Sequence, residues 1–309
     1  MRFKADVSNP NQLSRLITSL APLSKTAILK LKRDQVHLIC RAGGTKTSVQ
    51  VWSVINIDSI FRAETLRLDS NHHNEVYLEV TTDLLAKALK SASGATEVVI
   101  KLAKKGGTGP GGTGEGSYPV LSLVVQSSSR LGKRLEVTQD VAVKVMKAAE
   151  MDQLKEPLCP TPQVALYLPS LHTLRTVVER LKTVSPYITL GANNAGELRL
   201  RAESDDAKVE TEWRGLRAPA AGAEGMTDPP ADPTEFVSVT LEAKDVLKFL
   251  ASYSVASTTI ACFCRSHAAI FYVYVGAERG DGSGSGGAHG TGGVLTFFVP
   301  AVQLGGDDE

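Results

Sequence analysis

The sequence predicts an α+β fold of two domains, each a doubled strand–helix–strand motif. Three observations predict it. A chain of 309 residues is long for one core and suits two domains of about 150 residues each. A strand–helix–strand pattern occurs four times, and a proline-bearing stretch without periodicity separates the occurrences into two pairs.

The first motif opens at "MRFKADV", where Phe3, Ala5 and Val7 alternate onto one face as in a half-buried strand. "NPNQLSRLITSLAPLS" follows as an amphipathic helix with Leu13, Leu16, Ile17 and Leu20 inward, then "TAILKLKRDQVHLIC" as two strands about a turn near Arg33 and Asp34. The second motif is the strand "EVYLEVT", the helix "TDLLAKALKSAS" with Leu84, Leu85, Ala88, Leu89 and Ala92 inward, and the strand "EVVIKLA". The third is "YLPSLHTLRTVVERLKTVSPYITL", whose helix carries a stripe of Leu171, Leu174, Val177, Val178 and Leu181. The fourth is "FVSVTLEAKDVLKFLASYS", with Val246, Leu247, Leu250 and Tyr253 inward, followed by "TTIACFC". One helix covers only part of a sheet face, so two motifs per domain are expected. The three prolines Pro157, Pro160 and Pro162 mark the connector. We place the first domain at 1–145, the connector at 146–163 and the second domain at 164–309.

Segments 104–119, 218–233 and 276–293 are rich in Gly, Ala and Pro and lack the apolar residues that would offset the entropy of ordering them. They are expected to be loops, the glycine-rich pair flexible hairpin insertions. Gly109, Gly111 and Gly114 match G-x-G-x-x-G, but a strand, "PVLSLVVQ", follows where a pyrophosphate site needs a helix N-terminus. "RAGGTKTS" (41–48) fails the phosphate-loop spacing because Thr45 separates Gly44 from Lys46.

Composition excludes several functions. With 34 basic and 33 acidic residues, no global field draws the chain to nucleic acid or a membrane, so any attraction is local. No apolar run approaches the roughly 18 residues of a membrane span, and the N-terminus lacks a secretory pattern. The four cysteines form no disulfide framework, and Cys262 and Cys264, alternating in one strand, read as packed core thiols because no further ligands stand near in sequence. A soluble intracellular protein without metal or cofactor is expected. His72, His73 and His172 stand in no nucleophilic arrangement.

The helices' outer faces carry the remaining signal. At about 100° per residue, Arg15, Lys87, Lys90, Lys244 and Lys248 lie opposite the apolar stripes, and Arg175, Arg180 and Lys182 flank the third. A single such face is ordinarily a solvated surface. Four from one repeated motif would share a side of the sheets and give a modestly basic surface, suited to sequence-blind contact with duplex phosphates. Aromatics at 6% offer no evident single-strand surface.

The run "LKEPLCPTPQVALYLPSLHTLRTVVERLKTVS", with "EVYLEVTTDLLAKALKSA", the "SSSR" at 127–130 before "QDVAVKV", and "LTFFVPAV", resembles the Hus subunits of the heterotrimeric DNA-damage checkpoint (nine-one-one) sliding clamp. The resemblance runs from Met1 to about Gln303 and breaks at the three loops. It implies a PCNA-like DNA clamp fold, with antiparallel sheets outside and helices lining a channel on the inner face. It further implies a heterotrimeric ring with two other checkpoint-clamp subunits around duplex DNA in the nucleus. A checkpoint clamp loader, repair enzymes and support of an ATR-type kinase are implied too, with no enzymatic activity and no cofactor. Arg15, Lys87, Lys90, Arg175, Arg180, Lys182, Lys244 and Lys248 would then face DNA. Met151, Leu154, Pro157 and Leu158 would lie on a surface connector that docks partner peptides, unless they pin the connector to the sheet. Candidate ring-closing edges are 134–145 and 207–216. The alternatives are a homotrimeric replication clamp and a two-domain enzyme using His172 and Cys159.

Overall fold

The computed structural model describes residues 1–41, 48–107, 116–128, 134–219, 232–276 and 292–302. These divide into two compact units, one centred on Met1–Cys40 with Trp52–Lys155, the other on Glu156–Asp281 with Val294–Glu309. The G-x-G-x-x-G match, most of "RAGGTKTS" and the middles of the three low-complexity loops lie outside the described residues. Among the described residues no helix is long and apolar enough to cross a membrane.

The first unit contains β1 (Arg2–Asp6), α1 (Pro10–Leu20), β2 (Thr26–Leu31), β3 (Gln35–Arg41), β4 (Gln50–Asn56), β5 (Arg67–Asp69), β6 (Val76–Thr81), α2 (Thr82–Ser91), β7 (Glu97–Gly107), β8 (Gly116–Ser128) and β9 (Arg134–Val145). Its strands follow the order β4-β3-β2-β6-β9-β8-β7-β1-β5. The local rules are legible. Asn9 caps α1 by accepting from Gln12 N at 3.0 Å, and Pro10 occupies the first turn, where its missing N–H costs nothing. Alternation in β1 buries Phe3 and Ala5. Helices α1 and α2 pack against each other and lay Leu13, Ile17, Leu85 and Leu89 over Leu38 and Leu121 of the sheet, around a small apolar void of about 20 Å³. The stripe expected on α2 holds except at Leu84, which is 48% exposed. It lies about a quarter turn from the centre of the stripe formed by Leu85, Ala88, Leu89 and Ala92.

The short helix α3 (Ala148–Asp152) follows the unit's last strand, its start fixed by Lys147 N donating to Glu150 Oε2 at 2.7 Å.

The second unit contains β10 (Val164–Tyr167), α4 (Leu171–Leu181), β11 (Tyr187–Ala192), β12 (Leu198–Glu203), β13 (Lys208–Trp213), β14 (Val237–Glu242), α5 (Ala243–Leu250), β15 (Ala256–Cys264), β16 (Ala268–Val275) and β17 (Gly293–Pro300). One run of strands is β13-β12-β11-β14, the other β10-β15-β16-β17. Phe249 of α5 stacks on Phe271 of β16 at 4.0 Å and meets Phe297 of β17 edge-on at 5.4 Å. All three rings are buried, so they anchor the helix to the sheet. The inward stripe expected on this last helix includes Tyr253, and the structure overturns that. Helix α5 ends at Leu250, a 3₁₀ turn over Ala251–Ser254 carries the chain off its axis, and Tyr253 is 43% exposed while Phe249 takes the core position.

The expected edges divide. Strand β13 ends its sheet, pairing with β12 alone. Strand β9 stands between β8 and β6 in the strand order, but it pairs with β8 from Arg134 to Ala142 and with β6 over Val143–Val145, so no part of it is paired on both sides.

Candidate nucleic-acid interface and connector surface

In the first unit the α1 and α2 face presents Arg15, Lys87 and Lys90, all exposed. Their positions follow from the buried stripes opposite, and Lys90 sits in the last turn of α2, where the helix dipole favours a cation. None of the three forms an ion pair among the described residues, so their charges face solvent.

In the second unit α4 and α5 pack on each other and present the other five. Arg180 and Lys182 are exposed at the C-terminal end of α4, again where the dipole suits them. The remaining three are compensated. Arg175 Nε donates to Glu179 Oε1 at 2.9 Å, one turn along the helix. Lys244 Nζ lies 2.5 Å from Glu242 Oε2, a contact that raises the ammonium's pKa. Lys248 is half-buried and donates to Asp245 Oδ1 at 2.7 Å, and Asp245 itself is 8% exposed. Lys248 therefore neutralises a buried carboxylate and has the least charge to offer a phosphate.

A cluster that the sequence reading missed lies beside them. His172 meets the Tyr253 ring edge-on with centroids 5.8 Å apart, and the Arg175 guanidinium lies 5.4 Å from the same ring. The signal available in sequence was the i, i+3 spacing of His172 and Arg175; what brings Tyr253 to them is the tertiary contact of α4 with the turn after α5.

The connector departs from its expected surface course. Met151 is 8% exposed and packs with Ile39, Tyr77 and Met146, and Leu154 and Trp52 lie partly buried against that cluster. Met151 and Leu154 are thus pins that hold the connector to the sheet. Pro157 is half-buried, and Leu158 alone of the four candidates stands free, at 97% exposure. Beyond it the chain is tied to β15: the Cys264 thiol donates to Pro160 O at 3.2 Å, and Gln163 N to Phe263 O at 3.0 Å.

The surroundings of the thiols favour their protonated form. Burial pushes Cys40 and Cys262 up to about 12 and Cys264 up to about 11, and Cys159 is raised by burial and by the carboxylate of Glu156. A nucleophilic cysteine needs the opposite surroundings. Among the described residues no group of three or more His, Cys, Asp or Glu could hold a metal ion.

The fold is that of a PCNA-like clamp. The crystal structure of proliferating cellular nuclear antigen from Entamoeba histolytica aligns with it at a TM-score of 0.65, covering 97% of this chain and 98% of that one at 12% identity. Within that class the sequence is more specific. The family model for Hus1-like proteins matches residues 1–303, and the checkpoint protein hus1 of Schizosaccharomyces pombe is 35% identical over 281 residues, 89% of this chain and 93% of the relative. The human checkpoint protein HUS1 is 29% identical over 265 residues, 85% of this chain and 90% of the relative. The chain belongs to the Hus1-like protein family.

Proposed function

We propose that this chain is a non-enzymatic subunit of a ring-shaped checkpoint clamp, joined with two other clamp subunits around duplex DNA in the nucleus. The observation that carries this is a Hus1-like sequence match over residues 1–303 on a clamp fold. A closed ring is held on DNA by topology, so its phosphate contacts need only be weak and sequence-blind. Exposed Arg15, Lys87, Lys90, Arg180 and Lys182 on helix faces suit that task, and Arg175, Lys244 and Lys248 contribute less because acids already hold them. Two clamp domains, 1–145 and 164–309, would be joined by the connector 146–163. Leu158 and Pro157 are its candidate contacts for partner peptides, repair enzymes among them. Loading by a checkpoint clamp loader at damage sites and support of an ATR-type kinase complete the reading.

Chromatography by size tests it. The chain alone should elute as a monomer and form a ring only when mixed with two related subunits. A stable ring from the purified chain alone would favour the replication-clamp alternative. The reading as an enzyme using His172 and Cys159 has little support, since His172 is engaged with Tyr253 and Glu156 works against the Cys159 thiolate.

A further inference from the structure

We propose that the exposed cluster of Tyr253, His172 and Arg175 is a stacking site for unpaired DNA bases. The proposal rests on the DNA-encircling reading and adds a second kind of contact to it. Tyr253 is 43% exposed, with His172 against its edge and the Arg175 guanidinium near its ring. His172 and Arg175 are three residues apart on α4 and so share a face, which places both against the ring. The pair between Arg175 and Glu179, at 2.9 Å, fixes the guanidinium there. A solvent-open ring beside a cation is the chemistry that receives a base.

The far end of the same helix pair repeats the theme. Tyr187 is 37% exposed at the start of β11, opposite Glu242, whose carboxylate holds Lys244. Among the described residues, Tyr187 and Tyr253 are the exposed members of the Phe, Tyr and Trp set. Both therefore flank α4 and α5, each beside a basic residue. The α1 and α2 face carries exposed Arg15, Lys87 and Lys90 and no exposed aromatic ring. Intact duplex hides the flat faces of its bases, and a single strand offers them. The ligand class is thus single-stranded DNA, including the single-stranded side of a junction, bound without regard to sequence because every base has a π-face.

The test uses the full chain assembled with its ring partners. Fluorescence anisotropy would follow a labelled oligothymidylate and a duplex of equal length over a range of salt. Tyr253→Ala should weaken oligothymidylate binding about tenfold while leaving duplex binding and its salt dependence unchanged. Tyr253→Phe, which keeps the ring, should bind like the original. An oligonucleotide carrying iododeoxyuridine should photo-crosslink to Tyr253, a readout that a purely structural ring would not yield. Unchanged oligothymidylate binding by Tyr253→Ala, or equal losses on single strand and duplex, would overturn the proposal. Failure of the DNA-encircling reading looks different: Lys87→Gln with Lys90→Gln would then leave duplex loading intact, whatever Tyr253 does.

Discussion

Met151→Ala separates the pinning role of the connector from a docking role. Met151 is 8% exposed against Ile39, Tyr77 and Met146, so nearly all of its apolar surface is lost to the sheet cluster. Truncating a buried Met to Ala costs about 2–5 kcal/mol through lost transfer energy and the cavity left behind. The cluster lies under a short helix and an irregular strap that can settle into the gap, which places the cost near the lower end, about 2 kcal/mol. For a cooperative unit of about 150 residues that is a fall in melting temperature of about 4–8 °C. Leu158→Ala is the matched control: at 97% exposure it has no packing to lose, and its stability should stay within about 0.5 kcal/mol of the original. The assay is thermal and urea unfolding of both variants, with binding of partner peptides measured on the folded proteins. Met151→Ala at unchanged stability, or Leu158→Ala destabilised by as much, would refute the packing argument.

Replacing Lys87, Lys90, Arg175 and Lys182 together by Gln should reduce loading onto duplex DNA at low salt, with ring assembly and melting temperature unchanged; loading unaffected across the salt range would leave these residues an ordinary solvated surface. Gly196→Ala should destabilise the second unit by at least about 2 kcal/mol in urea unfolding, because Gly196 has φ of +85° and an added Cβ would lie 2.4 Å from the Leu216 carbonyl oxygen. Stability should also fall as pH rises above about 9, measured by melting temperature. The unfolded chain releases its thiol protons near the ordinary value of 9.0, whereas Cys40, Cys262 and Cys264 hold theirs to about 11 or 12, so the unfolded state binds fewer protons in that window. In the native protein an alkylating reagent should modify Cys159 first, and equal labelling of all four thiols would contradict their burial.

The four helices and their adjoining strands were legible because each buries one stripe, and the spacing of that stripe is a local property. Tertiary partners decided the rest. Whether Met151 lies in the open depends on Ile39 and Tyr77, more than 70 residues earlier in the chain. The junction of β9 with β6 rests on three register pairs at the end of the strand, which no alternation within β9 reveals. Strands β4, β5, β12 and β16 were not read in advance. The last is a continuous apolar run without alternation, buried on both faces along much of its length, and β5 is three residues long. At the candidate DNA face the sequence placed the basic residues on the outer surfaces, but the neutralisation of Lys248 needed the burial of Asp245 to be seen. The exposure of Tyr253 needed the end of α5.

The pairing of β1 sets an order on synthesis. Lys4 lies opposite Arg67 of β5 on one side and Lys101 of β7 on the other, so both neighbours of this strand are made long after it. At about 5–20 residues per second, the first strand leaves the ribosome several seconds before a ladder exists to receive it. Over that interval Phe3 and Ala5 lack the two strands they lie between. The nascent chain is therefore most in need of a chaperone at its beginning, and the local hairpins β7–β8 and β8–β9, whose partners emerge in succession, are what relieve it.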